Sequence, residues 1–318
     1  MVRLPKYSIS VPGTSANLGP GFDLMGMALE IRNEFSFSFS SEIKSFVSTQ
    51  RNGDVLPFSD KDDLVQASYL SYFQKFAPNL DPPYYECKMD LNLPLKGGLG
   101  SSASAIVAGL VLAREVHKRI LPNSQKPNES EFLQFLAEYE GHPDNTLPAY
   151  LGGFVFAYSI HGEPIRYFRK KFPGSVAVFV ITPEFFVSTE ESRKTLPKQY
   201  IASDMIFNLS RIGAWMHFLD KRKFGDLLIG LQDKMHTPYR ISENSPLYPL
   251  TKILQNDRLG FCLSGSGPSL LVFMERKNVK SKLPTLESDI ANCLNAENIK
   301  YKLTRVKADH LGVVVKIK

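Results

Sequence analysis

Nine residues, Lys96-Gly97-Gly98-Leu99-Gly100-Ser101-Ser102-Ala103-Ser104, constrain this chain more than any other stretch. They stand between Glu86 to Leu93, which alternates like a strand and stops at Pro94, and the Ala-, Val- and Leu-rich run Ser101 to Arg119. That run reads as a helix, with Arg114, His117, Lys118 and Arg119 before Pro122 as its stop signal. Three glycines let backbone approach a ligand closely, and the free N–H groups of a helix start point at it. With the positive end of the helix dipole, this is an anion site suited to phosphates. A glycine turn with serine caps would carry the same letters. The P-loop pattern is absent, because no Gly-Lys-Ser/Thr occurs. Gly98, Gly100 and Ala103 fit the loose dinucleotide fingerprint, but no strand ending in an acid follows about 20 residues on.

Elsewhere the pattern is that of a mixed α and β chain. Ser36 to Phe39 alternates as a half-buried strand, and Val176 to Ile181 and Ser269 to Phe273 read as buried ones. Helices are expected over Asp63 to Phe76, Ser130 to Glu140 and Met205 to Phe218. Lys302 to Ile317 is expected to close a sheet through Val313 to Val315. A composition change near His161 to Pro173 puts a boundary near residue 160, giving domains 1–160 and 161–318. The longest apolar run, Val176 to Ile181, is far below the roughly 20 residues of a membrane span, so no membrane partner is expected. Three cysteines at no metal-ligand spacing and an N-terminus without an apolar core fit a cytoplasmic protein. The net charge of +6 lies in short scattered clusters without an RNA-reading signature, so no nucleic acid is expected.

Five more segments stand out. Val11-Pro12-Gly13-Thr14-Ser15-Ala16-Asn17-Leu18-Gly19-Pro20-Gly21-Phe22-Asp23 is dense in Gly, Pro and small polar residues and reads as an irregular loop. Glu140-Gly141-His142-Pro143-Asp144-Asn145 sets three polar side chains at a proline-fixed turn, a site or an Asx-type turn. Leu263 to Ser269 is a second glycine-serine turn before a buried strand. Ser188 to Arg193 with Leu196-Pro197, and His236 to Arg240, complete the set.

Taken in order from residue 11 to about 270, these segments resemble the GHMP kinase superfamily and, within it, the homoserine kinases. The resemblance implies an α+β, two-domain GHMP kinase fold with the glycine-rich phosphate loop between a strand and a helix. It implies transfer of the γ-phosphoryl of ATP to the side-chain hydroxyl of L-homoserine, giving O-phospho-L-homoserine for threonine biosynthesis, with Mg²⁺. ATP would lie on Pro94, Leu95, Lys96, Gly97, Gly98, Leu99, Gly100, Ser101, Ser102, Ala103 and Ser104, with Asp63 near the adenine. Asp63 stands where the family tends to have asparagine, so it can accept from the adenine amino group but not donate. Arg193 and Arg240 would clamp the substrate carboxylate, a task suited to planar guanidinium. Asp23 with Asn17 would receive the ammonium, and His142 and Asn145 the hydroxyl end. Ser102 and Glu140 would be the metal-side residues, ahead of Glu138. Asp144, with Asn145, occupies the catalytic position, where Asp144 is a candidate base. The family allows a homodimer. Rival readings are a mevalonate- or shikimate-type kinase of the same superfamily, a silent binding protein on this fold, and an oxidoreductase.

Overall fold

A computed structural model describes residues 3–159, 163–257 and 259–318. The chain opens with β1 (Tyr7–Ala16), β2 (Met25–Ser38), β3 (Val47–Gln50), α1 (Leu64–Phe76) and β4 (Glu86–Asp90). It continues through α2 (Ser101–Ile120), α3 (Glu129–Glu140), α4 (Pro143–Leu151), β5 (Phe154–Tyr158) and β6 (Arg166–Lys170). Next come β7 (Val176–Pro183), α5 (Thr189–Lys194), α6 (Ala202–Lys221), α7 (Phe224–Gly230), α8 (Thr237–Arg240) and α9 (Tyr248–Asn256). It ends with β8 (Gly260–Leu263), β9 (Leu270–Glu275), α10 (Val279–Ala296), β10 (Tyr301–Val306) and β11 (Val314–Ile317).

Two sheets organise these elements. The first runs β11-β1-β2-β4-β3, with β5 also on β2 and β6 on β5; the second runs β10-β7-β9-β8 and is antiparallel throughout. Every expected helix forms, and α6 extends three residues beyond the expected Met205 to Phe218 at each end. The Lys302 to Ile317 region splits: β10 joins the second sheet, whereas β11 crosses back to pair with β1. The boundary expected near residue 160 falls at residues 160–162, outside those described, and the chain stays in the first sheet through β6.

Val11 to Ala16 is a correction to the loop reading, because these residues are the second half of β1. Their Pro and Gly are absorbed by a register shift against β2 between Pro12 and Gly13. A Cβ at Gly13 would run into Leu93 and come within 3.0 Å of the Leu99 carbonyl oxygen, so the small residue lets the phosphate loop press on β1.

The continuous apolar run of β7 has a simple cause. Val176, Val178 and Val180 face a core shared with Met25, Met27 and Phe154 of the first sheet and Trp215 of α6. Ala177, Phe179 and Ile181 face the opposite core, against Leu250 of α9 and Ile290 of α10. A strand buried on both faces loses its polar alternation. A third core lies between the first sheet and α1 to α4, built on Tyr69, Tyr72, Val107, Leu110 and Phe132. No described helix is long and apolar enough to cross a membrane.

Candidate active site

A cleft of about 540 Å³ opens where the phosphate loop, the β1–β2 turn, α4, α5, α8 and the second glycine turn converge. Its floor is the loop before α2. Gly98 and Gly100 take left-handed backbone (φ +74° and +67°), and Lys96 does so too (φ +54°). A Cβ at Gly98 would lie 2.9 Å from the Gly267 carbonyl oxygen, and closer still to that of Ser264. The two glycine turns are therefore in backbone contact, and the Ser264 hydroxyl fastens them through the Gly98 carbonyl (2.6 Å). α2 begins at Gly100 with no side-chain cap, which leaves its first N–H groups for a ligand.

Pro94, Leu95, Lys96, Gly97, Gly98, Gly100, Ser101 and Ser102 line the cleft. The side chains of Leu99, Ala103 and Ser104 turn away from it, so these positions could meet a nucleotide only through their backbone. Leu99 is buried in the core between the sheets, and Ala103 is fully buried. The Ser104 hydroxyl donates to the Ser101 carbonyl (2.7 Å) and accepts from Asn33 (2.9 Å). Helical periodicity turns these positions inward while Ser101, Ser102 and Ala105 face out. Asp63 reaches the cleft wall, but its carboxylate is engaged in the fold. One oxygen caps α1 through Val65 and Gln66 N–H (2.8 and 3.2 Å), and the other accepts from Ser48 (2.6 Å).

The His142 box is the first turn of α4, with Pro143 at its start, rather than a free turn. His142 Nδ1–H donates to Asp144 (2.6 Å). Burial alone pushes the imidazole down, but the hydrogen bond and charge of Asp144, with Glu140 and Asp23 behind, lift it to about 9. At neutral pH the ring is an imidazolium. Asn145 accepts from the Thr14 hydroxyl (2.8 Å), and Thr14 N–H donates to the Leu99 carbonyl (3.0 Å), so Thr14 couples Asn145 to the phosphate loop.

Glu140 ends α3 at the cleft with one carboxylate oxygen buried and unpartnered. Burial lifts its carboxyl to about 7, His142 and the Thr146 N–H oppose, and Asp144 adds to the rise. A buried carboxylate oxygen without a donor, in a cleft also lined by Ser102, fits a hard cation. Glu138 faces solvent, bonded to Lys75 and Gln134 (both 2.9 Å). Asp23, His142 and Asp144 also converge within 4.8 Å. To hold a cation, that trio would have to lose the His142 proton and release Asp23 from Arg193.

Asp23 sits at left-handed φ +58°, and its two oxygens accept bidentately from Arg193 (2.8 and 2.9 Å). Asn17 braces this turn: its oxygen accepts from Asp23 N–H (3.0 Å) and its amide donates to the Gly265 carbonyl (2.9 Å). Arg240 donates through Nη1 to the same carbonyl (2.9 Å), while its Nε is buried without a partner. Behind it, the Asp233 carboxylate caps α8 by accepting from His236 and Thr237 N–H (3.1 and 2.6 Å), and buried His236 donates to the Gly19 carbonyl (2.8 Å). The sequence reading gave no role to Thr14, Phe22, Asp233, His236 or Ser264. Four of these lie inside the segments it singled out, where position within a motif was the available signal; Asp233 lies three residues before His236.

Residues 63–153 match the family model of the GHMP kinases N terminal domain. Homoserine kinase of Clostridium botulinum (strain Langeland) is 32% identical over 314 residues, covering 96% of this chain and 97% of that protein. Homoserine kinase of Halothermothrix orenii is 31% identical over 98% of this chain and 96% of that one. The crystal structure of homoserine kinase from Cytophaga hutchinsonii has the same fold, with a TM-score of 0.81 at 23% identity and 98% of both chains covered. A phosphate loop on an uncapped helix start, two interlocked glycine turns and near-full-length similarity agree: the chain belongs to the GHMP kinase superfamily and, within it, to the homoserine kinases.

Proposed function

We propose that this protein phosphorylates the side-chain hydroxyl of L-homoserine with ATP, giving O-phospho-L-homoserine and ADP in threonine biosynthesis. The observation that carries the reading is the set Asp23, Arg193 and Arg240, which meets the uncapped start of α2 in one cleft. A zwitterionic amino acid needs an anion and a planar cation at one end and its hydroxyl at the other. Asp23 accepts the ammonium, and Arg193 and Arg240 take the carboxylate. Asn17 acts through Asp23, which it holds in place.

The triphosphate lies on the N–H groups of the Gly97 to Ser102 loop, where the helix dipole adds to its binding. Glu140 and Ser102 are the residues that would hold Mg²⁺, which when bound supplies neutralising charge for the phosphates. The His142 imidazolium and Asn145 orient the acceptor hydroxyl. Asp144 keeps that imidazolium charged and aimed, and the hydroxyl proton leaves with the transferred phosphoryl oxygen. Most of the catalysis is therefore alignment and charge. The cytoplasm is the compartment that suits the free cysteines.

A coupled ADP-release assay with Mg-ATP and L-homoserine, L-serine, mevalonate and shikimate tests the assignment. Homoserine-dependent turnover that collapses in Arg240→Ala through kcat/KM supports substrate and clamp together. Turnover with mevalonate or shikimate instead overturns the substrate and keeps the phosphate loop. An Asp144→Asn variant that keeps most of kcat and raises KM fits the positioning role; loss of kcat alone makes Asp144 the base.

A further inference from the structure

The two guanidiniums of the clamp come from separate elements, Arg193 on α5 and Arg240 on α8, and they carry like charge. Something must hold them side by side. Arg193 Cζ lies 5.2 Å and Arg240 Cζ 5.4 Å from one ring centroid, that of Phe22. The same ring packs on His236 at 5.6 Å. Phe22 is fixed in turn by its backbone: Gly21 N–H donates to the Asn17 carbonyl (3.0 Å), and Leu24 and Met25 N–H donate to the Gly21 carbonyl (3.0 and 2.8 Å). Its half-buried ring is not part of the cleft lining.

We propose that Phe22 is a positioning residue for the acceptor, whose ring holds Arg193 and Arg240 together as one carboxylate receptor. The negative face of an aromatic ring attracts cations, so one ring placed against both offsets their mutual repulsion. The direct hydrogen bonds differ, Asp23 holding Arg193 and the Gly265 carbonyl holding Arg240, while the charges of Asp23 and Asp144 act on both from a distance. Phe22 is the contact they share. No bond is made or broken by this residue; it sets where the substrate carboxylate lands.

The kinetic arm of the test rests on the homoserine kinase reading, and a second arm does not. Replacement of Phe22 by phenylalanines carrying one, three and five ring fluorines keeps shape while draining the ring face. The homoserine KM should climb stepwise, to about five- to thirtyfold with the most fluorinated ring. The ATP KM and kcat should stay within about twofold, and Phe22→Tyr should stay near wild type. A flat homoserine KM across the series overturns the proposal while leaving the substrate assignment intact. In parallel, arginine Nε–H signals are recorded by NMR for ligand-free wild type and Phe22→Leu. Ring-current shifts at Arg193 and Arg240 that vanish in the variant support the contact. Unchanged signals overturn it, whatever the substrate proves to be, and absent homoserine turnover in wild type would indict the substrate reading alone.

Discussion

Gly100→Ala tests how tightly the phosphate loop is built onto β1. Gly100 holds φ +67°, ψ +31° at the start of α2, and a side chain in left-handed backbone costs roughly 1–2 kcal/mol. Its methyl would lie 3.1 Å from Thr14 N and 3.2 Å from Thr14 Cβ, and closer still to the Thr14 hydroxyl. Thr14 cannot yield freely, because its N–H is bonded to Leu99 and its hydroxyl to Asn145. Losing the hydroxyl bond adds about 1 kcal/mol. The sum is about 2–3 kcal/mol, which lowers Tm by about 3–5 °C in a chain of this size. Activity should fall further than stability, since loop and Asn145 move together; kcat drops about ten- to a hundredfold. The control is Thr14→Ala in the Gly100→Ala background. It removes the clashing oxygen, so the double variant should recover about 1 kcal/mol over Gly100→Ala, although Thr14→Ala alone destabilises. Denaturant unfolding of the four proteins measures the coupling. Strict additivity, or a Gly100→Ala protein with wild-type Tm and kcat, refutes the clash argument.

Three further outcomes are expected. His142 should titrate near 9 by NMR in the free protein, and Asp144→Asn should return it toward its ordinary value. Because the folded value is raised, the contribution of His142 to stability is complete below about pH 6.5 and fades as pH rises through 9. The Tm deficit of His142→Ala should therefore shrink between pH 6 and pH 10. Asp233 is held below the usual carboxylate range: burial raises it, but His236, Asn208 and the N–H groups of Thr237 and Met235 together outweigh that. Asp233→Asn should cost about 2–4 kcal/mol at pH 7, with the deficit beginning to close below about pH 4, where the unfolded carboxylate protonates, and vanishing only as pH falls through the lower folded value. A deficit that stays constant with pH would show that the charge is not what stabilises α8. Glu140→Gln should raise the Mg²⁺ concentration for half-maximal rate by at least about tenfold, and Glu138→Gln should leave it unchanged. Equal effects from both would remove Glu140 from the metal side.

Much of this was legible in the sequence because it is local. The helix start at Ser101, the left-handed glycines before it and the N-terminal proline of α4 follow from near-neighbour backbone preferences. What escaped depends on partners distant in sequence. β1 reads as a loop because its Pro and Gly break the period, and only pairing with β2 shows where the irregularity is absorbed. Ser104 has the composition of a phosphate ligand but is claimed by Asn33, 71 residues away. Asp63 lines the cleft but also serves the fold, capping the helix it starts and accepting from Ser48. A polar residue in a motif can serve the ligand or the fold, and burial of its hydrogen bonds decides which.

The same competition governs the charges of the cleft. The resemblance assigned Asp23 to the substrate ammonium and Arg193 to its carboxylate, yet in the free protein they bind each other. Partly buried opposite charges with no ligand between them neutralise one another, since desolvating either alone is costly. The pairing and the proposed roles are compatible if binding is an exchange. A zwitterion replaces one bidentate ion pair with two: its ammonium takes Asp23, and its carboxylate takes Arg193 together with the unpartnered edge of Arg240. A simple alcohol has nothing to offer either partner and leaves the pair closed. A carboxylate without an ammonium would free Arg193 only by stranding Asp23. Selection for an amino acid then lies less in any one contact than in the requirement that both halves of the Asp23–Arg193 pair be satisfied at once.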